Sequence, residues 1–261
     1  MASRYELRGD VAVVTLDRPD MYNAIDAHLS ASVVDHMARA GEEARAVILT
    51  GEGKAFCSGA DLAGFQDEYD DGGPDLARRL EEEFHPVVHA IGGCTVPTVA
   101  AINGVAAGAG MGIALGCDLR IMAESAYLTS AFTAIGLTPD SGSTWLLPHY
   151  LGTSVALEIA LTNRRVSADE ALTRGICAEV APDGEVVDKA MEYAQKLAGM
   201  STDALTTTRR LIHGSRRLTF LEALEAEKNE QGRLGKTPEH AEGVAAFLEK
   251  RKPDFRNPAS S

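Results

Sequence analysis

Asp140 is the acidic residue in the stretch IGLTPDSGST (residues 135 to 144), where glycines and small hydroxyl residues surround it. An apolar run, Trp145 to Leu147, follows directly. Such a carboxylate has two interpretations. Asp is a favoured N-cap residue, and Asp140 would then bond the free N–H groups of a helix that begins near Gly142. A carboxylate held among small residues can instead carry a proton in a reaction.

Two further loops consist of small residues that let a ligand approach the backbone. In GKAFCSGADL, the glycine at position 59 predicts that the N–H of Ala60 points into a cleft. In AINGVAAGAGMGIALGCD, a helix of small residues begins near Gly108. The first N–H groups of that helix, above all those of Ala109 and Gly110, form a site for negative charge. An ordinary strand-to-helix turn is the structural alternative for the first loop.

Several other kinds of site are not expected. The glycine run follows several strands, whereas a dinucleotide fingerprint belongs to the first β-α unit, and no P-loop motif is present. His85 and His89 are four residues apart on a predicted helix, but Pro86 lies between them, so we expect a structural role and no metal site. Neither Ser58 nor Ser143 lies in the G-x-S-x-G motif of serine hydrolases.

The composition predicts a globular protein that does not bind polyanions. Its 261 residues, 45% of them apolar, suffice for one large domain with a helical appendage. With 38 acidic and 25 basic residues the formal charge is −13, which disfavours attraction to nucleic acid or anionic membranes. The four cysteines form no C-x-x-C pair, so we expect reduced, buried thiols and a cytoplasmic location. Neither a signal peptide nor a membrane span is expected.

Alternating strands and helices must position these loops. Strands are predicted over residues 11 to 17, 45 to 51, 95 to 102 and 117 to 122, and helices over 24 to 40 and 76 to 91. This alternation predicts an α/β fold with largely parallel strands, covered on its faces. From about residue 153 the pattern is almost all helical, and we expect this region to take part in assembly.

Five stretches together resemble the crotonase, or enoyl-CoA hydratase/isomerase, superfamily: LDRPDMYNAID, GKAFCSGADL, AAINGVAAGAGMGIALGCDLRI, IGLTPDSGSTWLLPHYLG and FLEKRKPDF. They occur in the family's order and cover nearly the whole chain. The resemblance implies a crotonase-type spiral of β-β-α units over residues 1 to 200 and a helical trimerisation region over residues 201 to 261. It also implies a homotrimer or a dimer of trimers, an acyl-CoA thioester substrate, and no cofactor beyond the coenzyme A of that substrate.

The resemblance also assigns roles to individual residues. The N–H groups of Ala60 and Ala109 would hold the thioester carbonyl oxygen, with Gly108 and Phe132 beside the acyl group. The residues implied for coenzyme A are Lys54 and Ala55 beside the adenine and phosphates, Asp61 and Leu62 beside the pantetheine, and Phe247 and Lys250 from a neighbouring subunit. For Lys250, a helix C-terminal cation is the alternative. Asp20 stands where many members carry Lys, and Arg18 is a candidate replacement for that charge.

The sequence departs from the hydratase pattern at both catalytic glutamates. Those positions are Gly112 and Phe132 here, and neither residue can transfer a proton. Because such a group is usually worth about 10²–10⁴ in rate, efficient hydration is not expected. Isomerase members and the aryl-CoA dehalogenases place an aspartate at the position of Asp140, and PDSGSTW is most similar to the PDSGGTW of isomerases in phenylacetate-type degradation.

We therefore expect double-bond isomerisation, with Asp140 moving a proton through a stabilised enolate. Apolar neighbours such as Phe132 and Leu137 should raise the pKa of Asp140 and make it a better base. The alternatives are a hydratase of low activity, a dehalogenase-like enzyme in which Asp140 is a nucleophile, and a non-catalytic acyl-CoA binding subunit.

Overall fold

The computed structural model describes residues 2–258, and two sheets form the centre of the molecule. The strands within the described residues are β1 (Ser3–Arg8), β2 (Val11–Leu16), β3 (Ala46–Gly51), β4 (Ala55–Cys57), β5 (Thr98–Ile102), β6 (Val105–Ala107), β7 (Leu119–Ala123), β8 (Tyr127–Thr129), β9 (Val166–Ser167) and β10 (Glu179–Ala181).

Helices cover the sheets and make up most of the second half of the chain. The α-helices within the described residues are α1 (Ala27–Glu43), α2 (Leu76–Arg79), α3 (His85–Gly92), α4 (Ala109–Gly116), α5 (Ser143–Leu151), α6 (Thr153–Thr162), α7 (Ala168–Thr173), α8 (Val186–Ala198), α9 (Thr202–Ser215), α10 (Phe220–Leu234) and α11 (Pro238–Glu249). Segments of 3-10 helix lie at Pro19–Met21, Leu62–Asp71 and Thr133–Ile135, and a π turn lies at Leu80–Phe84.

From β3 to β8, successive strands alternate between the two sheets. The larger sheet has the order β1-β2-β3-β5-β7-β10 and the smaller sheet the order β4-β6-β8-β9. In each of the pairs β3/β4, β5/β6 and β7/β8, the first strand joins the larger sheet and the second joins the smaller one before the chain turns helical. All strand pairs are parallel except β1 with β2 and β8 with β9. The expected α/β fold with a spiral of β-β-α units is confirmed.

The core is built on the larger sheet, whose apolar strands are buried on both faces. Every residue of β3 is buried, which is typical of a central parallel strand. Helix α1 places Leu29, Val33 and Met37 on this sheet at helical spacing. The side chain of Asp26 accepts a hydrogen bond from the N–H of Leu29 at 2.7 Å, so α1 begins at Ala27. The start predicted at residue 24 is therefore wrong by one turn.

The short strands could not be predicted from the sequence. Strands β4, β6 and β8 have three residues each, which is too few for a period of two to be recognised. Strand β6 lies between the strand predicted over residues 95 to 102 and the helix predicted to begin near Gly108. Strands β9 and β10 interrupt a region that was expected to be almost all helical, and β10 extends the larger sheet beside β7.

Helices α9 to α11 form the end of the described chain and follow α8, which packs on the larger sheet. Arg209 of α9 holds this end to the core, because its Nε lies 2.5 Å from Asp118 Oδ1 and its Nη2 donates to Ile91 O at 2.7 Å. In residues 2–258, no helix combines the length and the apolar character needed to cross a bilayer. A trimerisation role for residues 201 to 261 stays a prediction.

Candidate active site

A cavity of about 330 Å³ brings together both glycine loops and the segment before α5. Its wall includes these predicted site residues: Ala60, Leu62, Gly108, Ala109, Phe132 and Asp140. Asp140 and Arg79 are the charged side chains among the described residues that line it, and most of the remaining wall is apolar. A cavity of this composition suits an apolar group with few polar atoms.

The loop after β4 lies directly against the loop after β6. Because β4 and β6 are parallel neighbours, their chains leave the smaller sheet at the same end. Gly59 has a φ of 96°, and a Cβ atom there would lie 3.0 Å from the oxygen of Ala107 and 3.4 Å from the nitrogen of Ala109. Glycine is required by both the conformation and the close approach. The contact brings the amide of Ala109 next to the first loop.

Two backbone amides at this contact are free. Neither the Ala60 nor the Ala109 N–H donates to another atom of residues 2–258. Ile25 donates to the oxygen of Gly59 at 2.7 Å and accepts from the N–H of Asp61 at 3.1 Å. The N–H of Ala60, which lies between Gly59 and Asp61, therefore points away from Ile25. Ala109 is the first residue of α4, where an N–H has no partner within the helix. Such a pair of donors can stabilise an oxyanion.

Asp140 is partly buried at the cavity wall. Its Oδ1 accepts a hydrogen bond from Ser141 Oγ at 2.8 Å. Burial raises the pKa of Asp140 above its ordinary value, and this effect outweighs the hydrogen bond from Ser141 and the charge of His85, which both lower it. The predicted direction of the pKa shift is confirmed. A carboxylate with a raised pKa is a stronger base.

The carboxylate of Asp140 does not cap the following helix. Helix α5 begins at Ser143 after Gly142, which has a φ of 82° and provides no side-chain cap. Asp140 contributes its backbone oxygen, which accepts from the N–H of Ser143 at 2.9 Å. The N-cap interpretation is therefore wrong for the side chain, which is left to face the cavity.

The two positions at which the hydratase pattern has glutamates differ in their surroundings. A Cβ atom at Gly112 would lie 2.6 Å from the oxygen of Ser141 and 3.0 Å from Ser143 Oγ, so no side chain fits there without movement. Phe132 is 6% exposed and lines the cavity. One position is therefore filled by neighbouring serines, and the other presents an aromatic ring.

Three of the residues that the resemblance implies for coenzyme A, namely Lys54, Ala55 and Asp61, lie immediately before, in or after β4. Lys54 is exposed in the turn between β3 and β4, whereas Ala55 is fully buried. The side chain of Asp61 accepts from Arg18 Nη2 at 2.9 Å. Arg18 Nη1 lies 3.2 Å from Asp26, so its charge is already paired with two carboxylates. This pairing argues against Arg18 as a replacement for a phosphate-binding lysine.

Phe247 and Lys250 lie outside the cavity of their own chain. Phe247 is 82% exposed on α11. Lys250 ends α11 in a left-handed conformation with a φ of 56°, which agrees with its alternative interpretation as a cation at a helix C-terminus. Contact with the coenzyme A of a neighbouring subunit stays a prediction for both residues.

Two groups of residues remain, namely the histidines considered as metal ligands and the site residues that were not predicted from the sequence. The rings of His85 and His89 have centroids 6.3 Å apart, and the described residues contain no group of three metal-ligating side chains. Arg79 and Phe65 could not be predicted as site residues, because no motif covers residues 63 to 90. Ser141 was also not predicted, although a hydroxyl residue directly after the candidate base was a usable signal.

Comparisons with known proteins agree with this geometry. A family model described as "Enoyl-CoA hydratase/isomerase" matches residues 6–258. The "Probable enoyl-CoA hydratase" of Rhodobacter capsulatus is 41% identical over 97% of this chain and 96% of that protein. The "1,2-epoxyphenylacetyl-CoA isomerase" of Escherichia coli is 35% identical over 94% of each chain. An enoyl-CoA hydratase structure from Polaromonas sp. JS666 has a TM-score of 0.92 at 29% identity, covering 98% of this chain and 100% of that one. Matches that extend over nearly the whole chain mean that it belongs to the enoyl-CoA hydratase/isomerase family of enzymes.

Proposed function

We propose that this enzyme isomerises the double bond of an enoyl-CoA thioester, with Asp140 moving the proton. The observation that carries the proposal is that Asp140 is the single carboxylate among the described residues lining the cavity that the free amides of Ala60 and Ala109 also border. Its raised pKa suits a group that must take up and return a proton near neutral pH.

The chemistry divides between the side chain and the backbone. Removal of a proton from the acyl chain of a 3-enoyl-CoA sends negative charge to the thioester oxygen. The N–H groups of Ala60 and Ala109 would stabilise this charge, and one such donor is typically worth about 10²–10³ in rate. Asp140 would then return the proton to a different carbon. The cycle moves one proton and neither adds nor removes electrons, so it needs no redox group.

Hydration is disfavoured by the surroundings of Gly112 and Phe132. Adding water across a double bond needs groups that orient and activate the water. The space beside Gly112 is filled by Ser141 and Ser143, and Phe132 has no titratable atom. Relatives carry both kinds of name, since one is named a hydratase and another an isomerase of 1,2-epoxyphenylacetyl-CoA. The second name supports isomerisation of an acyl-CoA thioester here.

The remaining site residues belong to the same proposal. Leu62, Gly108 and Phe132 would contact the acyl-pantetheine part of the substrate, because they line the cavity. The other proposed coenzyme A contacts are Lys54, Ala55 and Asp61 of the same subunit, and Phe247 and Lys250 of a neighbour in a homotrimer or a dimer of trimers.

The test is a panel of 2-enoyl-, 3-enoyl- and aryl-CoA thioesters with wild type, Asp140→Asn and Asp35→Asn. Asp35 is exposed on α1, so Asp35→Asn is the same chemical change away from the cavity. Isomerisation should be abolished or reduced by at least about 10²-fold in Asp140→Asn and unchanged in the control. Full isomerase activity in Asp140→Asn would rule out the proposal, and no turnover of any thioester by wild type would favour a binding subunit.

A further inference from the structure

Arg79 is a cation fixed at the wall of a largely apolar cavity. It is the last residue of α2, and its guanidinium lies 4.3 Å from the centre of the Phe65 ring. Its Nη1 donates to Glu83 at 3.0 Å, and its Nη2 is bonded to Glu68. The side chain is 25% exposed. These contacts hold the guanidinium in one place, as recognition of a ligand atom requires.

The guanidinium still has donors to offer. Arginine carries five N–H groups, and the contacts with Glu83 and Glu68 use two of them within the described chain. The N–H groups lie in the plane of the guanidinium, so Phe65, which covers one face of it, leaves the remaining donors available at its edge. A bound acyl group would displace water from this wall, and each donor left without an acceptor would then be costly.

The charge around Arg79 decides which kind of ligand atom can accept its hydrogen bond. The single guanidinium is paired with the carboxylates of Glu68 and Glu83, and the Glu83 side chain is only 12% exposed, so the three side chains together carry no excess positive charge. A carboxylate on the ligand would be repelled by Glu83 and Glu68. A hydroxyl, ether or carbonyl oxygen can accept a hydrogen bond from Arg79 without that repulsion.

The position of Arg79 separates this contact from the reacting carbons. Arg79 ends α2, whereas Asp140 lies in the segment directly before α5, so the two side chains line the cavity from different elements. Leu80 and Phe84, which follow Arg79 along the chain, also line the cavity. The acyl chain would therefore reach it beyond the part that is held at Asp140.

We propose that Arg79 makes this enzyme selective for acyl-CoA thioesters that carry a neutral oxygen on the acyl group, away from the thioester. This inference rests on the proposed function for the substrate class, acyl-CoA thioesters. It does not depend on which reaction Asp140 catalyses.

Binding of saturated thioesters tests the inference without turnover. Isothermal titration calorimetry compares 4-hydroxybutanoyl-, 6-hydroxyhexanoyl- and 8-hydroxyoctanoyl-CoA with pentanoyl-, heptanoyl- and nonanoyl-CoA, in which a methyl group replaces each hydroxyl. In Arg79→Met, binding of the hydroxyacyl thioester at one chain length should weaken by about tenfold or more, because its oxygen loses a charged donor. Binding of the paired alkyl thioester should change by less than about twofold.

Arg78→Met is the matched control, because Arg78 is 69% exposed, pairs with Glu82 and does not line the cavity. It should leave all six affinities unchanged. If Arg79→Met does not fold, Arg79→Gln takes its place, with the same selective loss expected because the charged donor is absent.

Three results would overturn the inference. Equal weakening of both members of every pair would mean that Arg79 only holds the helices together. Tighter binding of adipoyl-CoA than of 6-hydroxyhexanoyl-CoA would mean that the site prefers a carboxylate. Failure of wild type to bind any thioester would remove the acyl-CoA site itself, whereas loss of the isomerase assignment alone would leave the binding result standing.

Discussion

Ser141 adopts a backbone conformation that few residues other than glycine adopt, directly beside the candidate base. Its φ is 50°, it is 2% exposed, and its hydroxyl donates to Asp140 at 2.8 Å. Such conformations persist when the surrounding structure fixes them, and they are concentrated at functional sites. We infer that Ser141 orients the carboxylate of Asp140.

Replacing Ser141 by alanine should change the pH dependence of the reaction. The hydroxyl favours the charged carboxylate, so its loss should raise the pKa of Asp140 further. The acidic limb of the pH–rate profile for isomerisation should move to higher pH, and kcat at its plateau should fall by about tenfold. Rate measurements across the acidic range check this outcome.

Ser141→Gly is the control for backbone strain. It removes the same hydroxyl, but glycine accepts a positive φ without a steric cost. Both variants should share the shift in pH profile, while Ser141→Gly should unfold with a free energy about 1 kcal/mol higher than Ser141→Ala. An acidic limb that stays at its wild-type position in both variants would contradict an orienting role.

Gly112 should tolerate no larger residue. The Cβ atom of Gly112→Ala would lie 2.6 Å from the oxygen of Ser141, so the residues next to Asp140 must move. We expect the free energy of unfolding to fall by about 1–3 kcal/mol, with a loss of isomerase activity. Gly214→Ala is the matched control, because a Cβ atom on this α9 residue meets nothing within 4 Å. That control should be neutral or stabilising in urea unfolding, and equal stability of both variants would refute the prediction.

Among the helices, α9 is joined to the core by a mostly buried ion pair. Asp118 accepts from the N–H of Thr98 at 2.8 Å and pairs with Arg209 of α9, and both charged side chains are mostly buried. Burial alone would raise the pKa of Asp118, but hydrogen bonding by His213, the charge of Arg209 and hydrogen bonds from Thr98 outweigh it, so the pKa is lowered. The pair attaches the C-terminal helices to the sheet in its charged form.

This pair should make stability depend on pH in the acidic range. A lowered pKa in the folded state stabilises the protein above the ordinary aspartate pKa of about 3.9, and this contribution is lost as the pH falls through the lowered value. Urea unfolding between neutral and acidic pH measures it. Asp118→Asn should cost about 3–5 kcal/mol at neutral pH and flatten the acidic slope.

Asp35→Asn on α1 provides the comparison for this slope, because it makes the same chemical change at an exposed position. It should retain both the stability and the pH dependence of wild type. If Asp118→Asn and Asp35→Asn had the same slope, the buried pair would not be its cause.

Prediction of elements from the sequence succeeded where the periodic pattern was long. The apolar run of β3 and the helical spacing in α1 indicated the right element types, although capping by Asp26 moved the start of α1. The three residues of β6 carry no such pattern, and pairing with β4 and β8 defines this strand. Tertiary contacts, which a local pattern does not contain, decide such short elements.

At the site, motifs were informative where the backbone acts and uninformative where side chains from distant segments meet. The loops at Gly59 and Gly108 could be located because glycine reports a special conformation or close approach. The contact between Gly112 and Ser141 could not be predicted, because it joins positions that are distant along the chain. The neighbours of Arg79 were hidden for the same reason.

For the whole molecule, the C-terminal helices expose an unusual amount of apolar surface. Phe220 and Leu221 on α10 are each 75% exposed, and Phe247 and Leu248 on α11 are 82% and 73% exposed. Side chains of this size are commonly covered in an assembly. These surfaces support the proposed homotrimer or dimer of trimers.

Light scattering after size-exclusion chromatography tests assembly. Wild type should elute as a trimer or hexamer, and Phe220→Ser combined with Leu221→Ser should shift the distribution towards monomer, because apolar contact area is lost. Leu7→Ser, at a position on β1 that is 43% exposed, is the control outside the C-terminal helices. A wild-type monomer at micromolar concentration would contradict the prediction.

The contact between the loops after β4 and β6 has a consequence for how new activities can arise on this chain. The proposed oxyanion donors are peptide groups fixed by two neighbouring strands, whereas the proposed proton carrier, Asp140, is an exchangeable side chain on a separate segment. A substitution at Phe132 or Asp140 can therefore introduce or relocate an acid without rebuilding the charge-stabilising part of the site. Directed evolution of this enzyme should begin at these two positions and leave Gly59 untouched.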